Sequence, residues 1–331
     1  MNKYLAFFLK CIAASLPLLL LAAFTGLFPL AYMDGEYPSW RYTKRVQTGR
    51  EKIDGFDASK ACLILGDSRA MADLIPDKLG ADTCNLAVGG ATSIEMYYTL
   101  RHYIENYGRP ESVIIMFAPF HYSYMDNFWT RTVYFNHLTL PEAFKVYREG
   151  LRLGSVTVSE REKGLSGIIS MYLKLPDSYM PALINSRFIG RYAENSEKYR
   201  DLSEQRGHGL FGTGNGSSDL NYESNYTELD TTGDFGLLYL YTTRLLELCR
   251  DNNIRTILAQ PPMNEASYKE LNDDYIGQYT RLIESLSDIY AGAVISPEIP
   301  CYDNSLFGDS SHLNERGARI FTEEFKNEYD L

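Results

Sequence analysis

The chain has 331 residues, 45% of them hydrophobic and 23% charged, which is enough apolar content to bury a full core and too much for a disordered polymer. Its 32 basic residues against 43 acidic ones leave a net charge of −11. That balance argues against the clustered cationic surface that nucleic acids require, so no nucleic-acid partner is expected.

The first element in chain order is an uncharged run of 23 residues from Cys11 to Met33, behind Lys3 and Lys10. Spanning the hydrocarbon of a bilayer takes about 20 such residues, so the run predicts a membrane anchor over residues 1–33. A cleaved secretory signal is the alternative, although its apolar core is usually about 7–15 residues long. Arg41, Lys44, Arg45 and Arg50 follow the run, and the distribution of charge by itself leaves the orientation open. Residues 34–60 then read as a stalk, and the body as 61–331.

Within the body, short apolar runs bounded by turn residues occur at 62–66, 83–88, 112–118, 255–260 and 292–296, with helical stretches predicted at 93–107, 234–252, 266–289 and 314–328. Continuous apolar strands alternating with helices predict an α/β fold with a parallel sheet covered on both faces. Asn314 is placed to cap the last helix, with Gly317 in its first turn. The alternation is broken at 119–233, an aromatic-rich insertion after the third strand. The end of that insertion, 212–234, is rich in Gly, Ser, Asn and Thr and reads either as a flexible loop or as a lid facing substrate. Of the body cysteines, Cys62, Cys84, Cys249 and Cys301, none shows C-x-x-C spacing. Cys62 and Cys84 open two predicted strands and would be near enough to bridge if those strands are neighbours; ordinary buried thiols are the simpler reading.

The first strand ends in LILGDSRA, residues 63–70. Ligands of open parallel sheets bind at the carboxyl ends of the strands, so Ser68 stands where chemistry is done. On the tripeptide Gly-Asp-Ser alone, a helix cap is the simpler reading. A serine becomes a nucleophile only when a base takes its proton. His312 offers that base: it lies after the last predicted strand, three residues beyond Asp309, close enough for the carboxylate to fix the imidazole tautomer. Asp67 reads as a turn or cap residue, and His102, His137 and His208 have no recognisable partners. Arg69 reads either as a ligand for a substrate carboxylate or phosphate or as a surface ion pair, and Gln260 and Asn264 as residues lining the pocket.

Taken in order, LILGDSRA at 63–70, NLAVGGATS at 85–93 and DSSHLN at 309–314 resemble blocks one, two and five of the SGNH/GDSL hydrolase superfamily. The resemblance implies a three-layer αβα fold of flavodoxin-like type, with Ser68 as nucleophile, His312 as general base and Asp309 as its orienter. It also implies an oxyanion hole built from the backbone N–H groups of Ser68 and Gly90. The superfamily's third block, Gly-x-Asn-Asp, is replaced by MFAPFHYS at 116–123; His121 either takes over its oxyanion role or is a polar residue at a strand end.

Within the superfamily, the chain resembles a bacterial branch that includes the D-alanine-transfer protein of teichoic acids and the SGNH proteins of alginate and cellulose acetylation. That likeness implies an O-acyltransferase outside the membrane, acting on a polysaccharide beside a polytopic membrane-bound O-acyltransferase. An esterase and a non-catalytic partner are the alternatives. The insertion's aromatics Tyr122, Tyr124, Phe128 and Trp129 would then offer stacking surfaces for sugars, or else form the insertion's own core. No metal-ligand cluster is evident, and Gly89-Gly90 lacks dinucleotide-loop spacing, so neither metal nor cofactor is expected.

Overall fold

A computed structural model of the chain describes residues 3–27, 34–53, 55–125, 127–159, 164–173, 189–212 and 229–331. The membrane-anchor expectation is overturned: among the described residues, no helix is long and apolar enough to cross a membrane. Helix α1 (Lys3–Leu27) starts ahead of the apolar run, so Lys3 and Lys10 lie within it, and Pro17 removes a bond from its ladder. Residues 28–33, the end of the expected anchor, lie outside the described residues. The single-pass membrane placement drawn from that run falls with it.

The segment expected to be a stalk is instead part of the body. Helix α2 (Tyr37–Gln47) buries Trp40, Tyr42 and Val46, and Thr43 donates to the Leu86 carbonyl at 3.2 Å.

The body is an α/β fold built on a parallel five-stranded sheet. Strand β1 (Cys62–Gly66) is followed by short helices α3 (Ser68–Asp73) and α4 (Pro76–Leu79), then β2 (Thr83–Asn85), α5 (Ser93–Tyr107) and β3 (Ser112–Met116). The insertion contributes α6 (Leu140–Leu153), α7 (Val156–Ser159), α8 (Gly164–Leu173) and α9 (Ile189–Glu204). The alternation resumes with α10 (Phe235–Asp251), β4 (Arg255–Ala259), β5 (Met263–Asn264), α11 (Glu265–Lys269), α12 (Asp273–Ile289), β6 (Ala293–Ile295), β7 (Cys301–Tyr302) and α13 (Glu315–Tyr329). The single helix expected over 266–289 is two, because Asn272 caps a new start by accepting from the Asp274 N–H.

Strands run in the order β2-β1-β3-β4-β6, every pair parallel, while β5 and β7 form a separate two-residue ladder. Leu63, Ile64 and Leu65 of β1 and Val113 to Met116 of β3 are fully buried, as expected of central strands covered on both sides. Helices α5 and α10 pack together, and α3, α4 and α13 form a second group. The right-handed rule for parallel crossovers assigns these groups to opposite faces of the sheet. The strand order reverses between β1 and β3, which makes the carboxyl ends of those two strands the topological switch point.

The insertion supplies a second core on the outer side of α5, where Phe128, Trp129 and Val133 pack with Tyr98 and Tyr241. Tyr122, Phe128 and Trp129 are therefore core residues and not sugar platforms; Tyr124 alone of the four is exposed. Residues 213–228, most of the segment read as a loop or lid, lie outside the described residues. All five cysteines are free, and Cys84 lies 3.4 Å from the Tyr42 hydroxyl.

Candidate active site

The turn after β1 has little freedom. A Cβ on Gly66 would come within 1.8 Å of the Met116 carbonyl oxygen and 2.6 Å of the Ala70 Cβ, so only glycine lets β1 and α3 approach β3 this closely. Asp67 follows as the N-cap of α3, and its Oδ1 accepts the Arg69 N–H at 3.0 Å. Its Oδ2 accepts the Ala118 N–H at 2.9 Å, tying the start of α3 to the end of β3. Asp67 is thus the cap residue that its position suggested, and Ser68 occupies the first helical turn, at the switch point.

His312 reaches Ser68 from the other end of the chain. The loop 307–313 is closed by an antiparallel bridge between Phe307 and Leu313, and the Gly308 N–H donates to the His312 carbonyl at 2.8 Å. Asn314 caps α13 through the Gly317 N–H at 3.0 Å, and its Nδ2 donates back to the Ser305 carbonyl at 2.9 Å. A Cβ on Gly317 would meet the Leu306 carbonyl oxygen at 2.2 Å, which accounts for the glycine in that first turn.

Within this loop, Asp309 Oδ1 accepts the backbone N–H groups of Ser311 and His312, both at 2.9 Å. The imidazole Nδ1 lies 2.9 Å from each carboxylate oxygen, and Nε2 lies 2.8 Å from the Ser68 hydroxyl. The carboxylate can only accept, so Nδ1 carries the proton and Nε2 is left to accept from Ser68. Partial burial works against the Asp309 charge, but the hydrogen bond and charge of His312, aided by the two backbone N–H groups, hold its carboxyl below the usual range.

Phe211 was not legible as a site residue. Its ring stacks on the His312 imidazole at 4.4 Å between centroids and 22° between planes. It is delivered by the chain leaving α9: the Gly209 N–H donates to the Met71 carbonyl at 3.2 Å, and His208 Nε2 bonds the Ala72 carbonyl at 3.0 Å. Gly212, with φ +74°, lies where a Cβ would meet the Gly308 carbonyl oxygen at 2.4 Å. This stretch of the insertion therefore packs against both the serine helix and the histidine loop, although its sequence carries no motif that would say so.

The other expected residues divide. Gly90 sits at φ +68° in the turn into α5, two residues beyond Val88, whose N–H pairs with the Gly66 carbonyl at 3.1 Å. The carboxyl end of β1 and the Gly89-Gly90 turn are thus adjacent. His121 is buried, with Nε2 3.6 Å from Asp67 Oδ2 and Nδ1 3.2 Å from the Tyr124 carbonyl, so its nearest acidic neighbour is the cap that precedes Ser68. Arg69 is buried, not a surface residue, and its guanidinium lies 5.9 Å from the centre of the Phe120 ring.

Asn264 caps α11 by accepting the Ser267 N–H at 2.8 Å, and its Nδ2 donates to the Ser310 carbonyl at 2.6 Å, so it braces the histidine loop. Gln260 is a correction: its Nε2 donates to the Ser296 carbonyl at 3.2 Å, and the cavity of about 200 Å³ that it lines is shared with Tyr302, Phe321 and Phe325 of the α13 side, not with Ser68 or His312. Position at a strand's carboxyl end fixed the height of Gln260 but not the direction of its side chain. Among the described residues, no group of three or more His, Cys, Asp or Glu is arranged to hold a metal ion.

No protein-family model matches the chain, and no curated protein matches it.

Proposed function

We propose that the protein is a serine-dependent O-acyltransferase of SGNH type, which carries an acyl group, most simply acetyl, as an ester on Ser68 and passes it to a carbohydrate hydroxyl. The observation that carries this reading is the hydrogen-bonded sequence from Ser68 through His312 to Asp309 at 2.8 and 2.9 Å. In the first half-reaction the Ser68 oxygen bonds to the donor's carbonyl carbon while its proton passes to His312 Nε2. The tetrahedral intermediate collapses as that proton is handed to the departing alcohol or thiol, leaving Ser68 acylated. In the second half, His312 takes the proton of an acceptor hydroxyl, the acceptor oxygen bonds to the acyl carbon, and the proton returns to Ser68 as the ester breaks.

Asp309 stabilises the imidazolium formed in each half, and the first-turn N–H of Ser68 together with Gly90 would meet the oxyanion. The strand order and the placement of Ser68 after the first strand support the SGNH reading of the fold. A sugar acceptor is supported by exposed Tyr124, which lies beyond the same strand end beside Phe120, with 6.3 Å between ring centroids.

One observation favours a second reading, that of a carbohydrate esterase: the Asp309 side chain is 38% exposed, so water has access to the edge of the site. Incubating the full chain with p-nitrophenyl acetate and a glycan acceptor distinguishes the two. A Ser68-acetyl mass shift with acetylated glycan supports the transferase, and release of acetate alone supports the esterase. Absence of both adduct and nitrophenol, or the same adduct in Ser68→Ala, would falsify the serine reading.

A further inference from the structure

Asp73 stands at the end of the helix that Ser68 begins, and it is completely buried. Its Oδ1 accepts the Leu313 N–H at 2.9 Å, the amide next to His312. Its carbonyl accepts the Thr322 hydroxyl of α13 at 3.1 Å, and the same hydroxyl accepts the Ile75 N–H at 3.1 Å. The second carboxyl oxygen, Oδ2, is buried with no hydrogen-bond partner among the described residues. An ionised carboxylate with one bare oxygen in such a place is costly, whereas a protonated one carries no charge to desolvate. Burial pushes the Asp73 carboxyl well above the usual range; the Leu313 N–H and Arg69 oppose this, and Asp67 and Asp309 reinforce it.

Among the described residues, the histidine loop is tied to α3 by two hydrogen bonds, Ser68 with His312 and Asp73 with Leu313. The first is consumed during acyl transfer, since His312 turns from acceptor to donor. The second is not.

We propose that Asp73 is a positioning residue: it docks the His312 loop on the serine-bearing helix and so sets the distance between Nε2 and the Ser68 hydroxyl. This rests on the reading of Ser68 and His312 as the reacting pair. A neutral side chain of the same shape should replace it, because the bond to Leu313 needs an acceptor and no charge.

The test compares the full-length chain with Asp73→Asn and Asp73→Ala by amide hydrogen exchange at Leu313 and by the rate at which a fluorophosphonate labels Ser68. Asp73→Asn is expected to match the unsubstituted chain within about threefold in both. In Asp73→Ala, the loss of one buried acceptor is expected to speed Leu313 exchange and slow labelling by about tenfold each, with kcat for p-nitrophenyl acetate reduced and KM unchanged. Unchanged exchange in Asp73→Ala, or an Asn variant as impaired as the Ala variant, overturns the proposal. Should Asp73→Ala fail to fold, Asp73→Asn decides alone: labelling reduced tenfold or more overturns the assignment. If Ser68 of the unsubstituted chain takes no label, the serine reading has failed, while Leu313 exchange still reports separately whether Asp73 docks the loop.

Discussion

Two histidines in this molecule hold the same kind of partner and differ in what lies on the far side of the ring. His312 has Asp309 at Nδ1 and the Ser68 hydroxyl at Nε2. His102 has Glu142 at Nε2, 2.9 Å away, and the Gln47 side-chain amide at Nδ1, 3.2 Å away. In both, a carboxylate orients the ring. In the first, the opposite nitrogen faces a hydroxyl able to surrender a proton and become a nucleophile; in the second it faces an amide that cannot.

Their surroundings differ too. The His102 group is enclosed between α2, α5 and α6, beside His137, which burial and the neighbouring His102 push down to about 3, and Lys44, which burial lowers to about 8. A carboxylate beside a histidine is thus a structural device until a reactive group and an opening are added.

The sharpest way to break this comparison is to remove the orienting carboxylate from each. Asp309→Asn should slow fluorophosphonate labelling of Ser68 by about 10³- to 10⁴-fold, because an amide neither stabilises the imidazolium nor enforces the tautomer; thermal melts should change little. A loss under tenfold would mean that Asp309 is a loop residue only.

Glu142→Gln should do the reverse, leaving labelling intact and lowering stability. Burial opposes the Glu142 charge, but the bonds from His102 and the Thr139 N–H outweigh it and bring the carboxyl down to about 2 from its ordinary 4.5. A carboxyl lowered by folding contributes stability in full above about pH 4.5, and that stability is lost as the pH falls from there towards 2. The contribution is on the order of 2 kcal/mol after allowance for partial exposure. Urea midpoints at pH 6 and pH 3 measure it: the fall between them should be smaller in Glu142→Gln than in the unsubstituted chain.

Two smaller effects sharpen the contrast on the His312 side. Asn264→Ala removes the brace on Ser310 and should slow labelling about tenfold, through a loosened loop. Phe211→Leu keeps the bulk and loses the flat face against the imidazole, and a threefold to tenfold decrease in labelling is expected from a stacking contact of about 0.5–1.5 kcal/mol. Stopped-flow traces for both variants should show slower chemistry at unchanged probe affinity.

The sheet was legible because its central strands are buried on both faces, and continuous apolar runs at 62–66, 112–118 and 255–260 have few other solutions. The relation of Ser68, Asp309 and His312 was legible for a related reason: topology puts strand ends at one edge, and three-residue spacing puts the carboxylate within reach of the ring. What was not legible depends on side-chain direction and on long-range packing. Gln260 stands at the expected edge and faces a different cavity. Phe211 and Asp73 gain their positions from contacts with segments remote in the chain, and nothing local marks them. Trp40 and Tyr42 of α2 were read as stalk because the apolar face of a short helix shows only against the surface it covers. At the amino terminus the run from Cys11 is uncharged and long enough to span, but the helix it belongs to starts at Lys3 and takes in Lys10 and Pro17.

The histidine and its carboxylate lie on one short loop, three residues apart, whereas the serine is 244 positions away in the chain. The first pairing is therefore nearly free of chain entropy and the second carries almost all of it. On warming, the pair on the loop should outlive the contact with the serine. Fluorophosphonate labelling of Ser68 would then fail before secondary structure is lost, through a state still folded by circular dichroism, in which the imidazole keeps its carboxylate and has lost the serine hydroxyl.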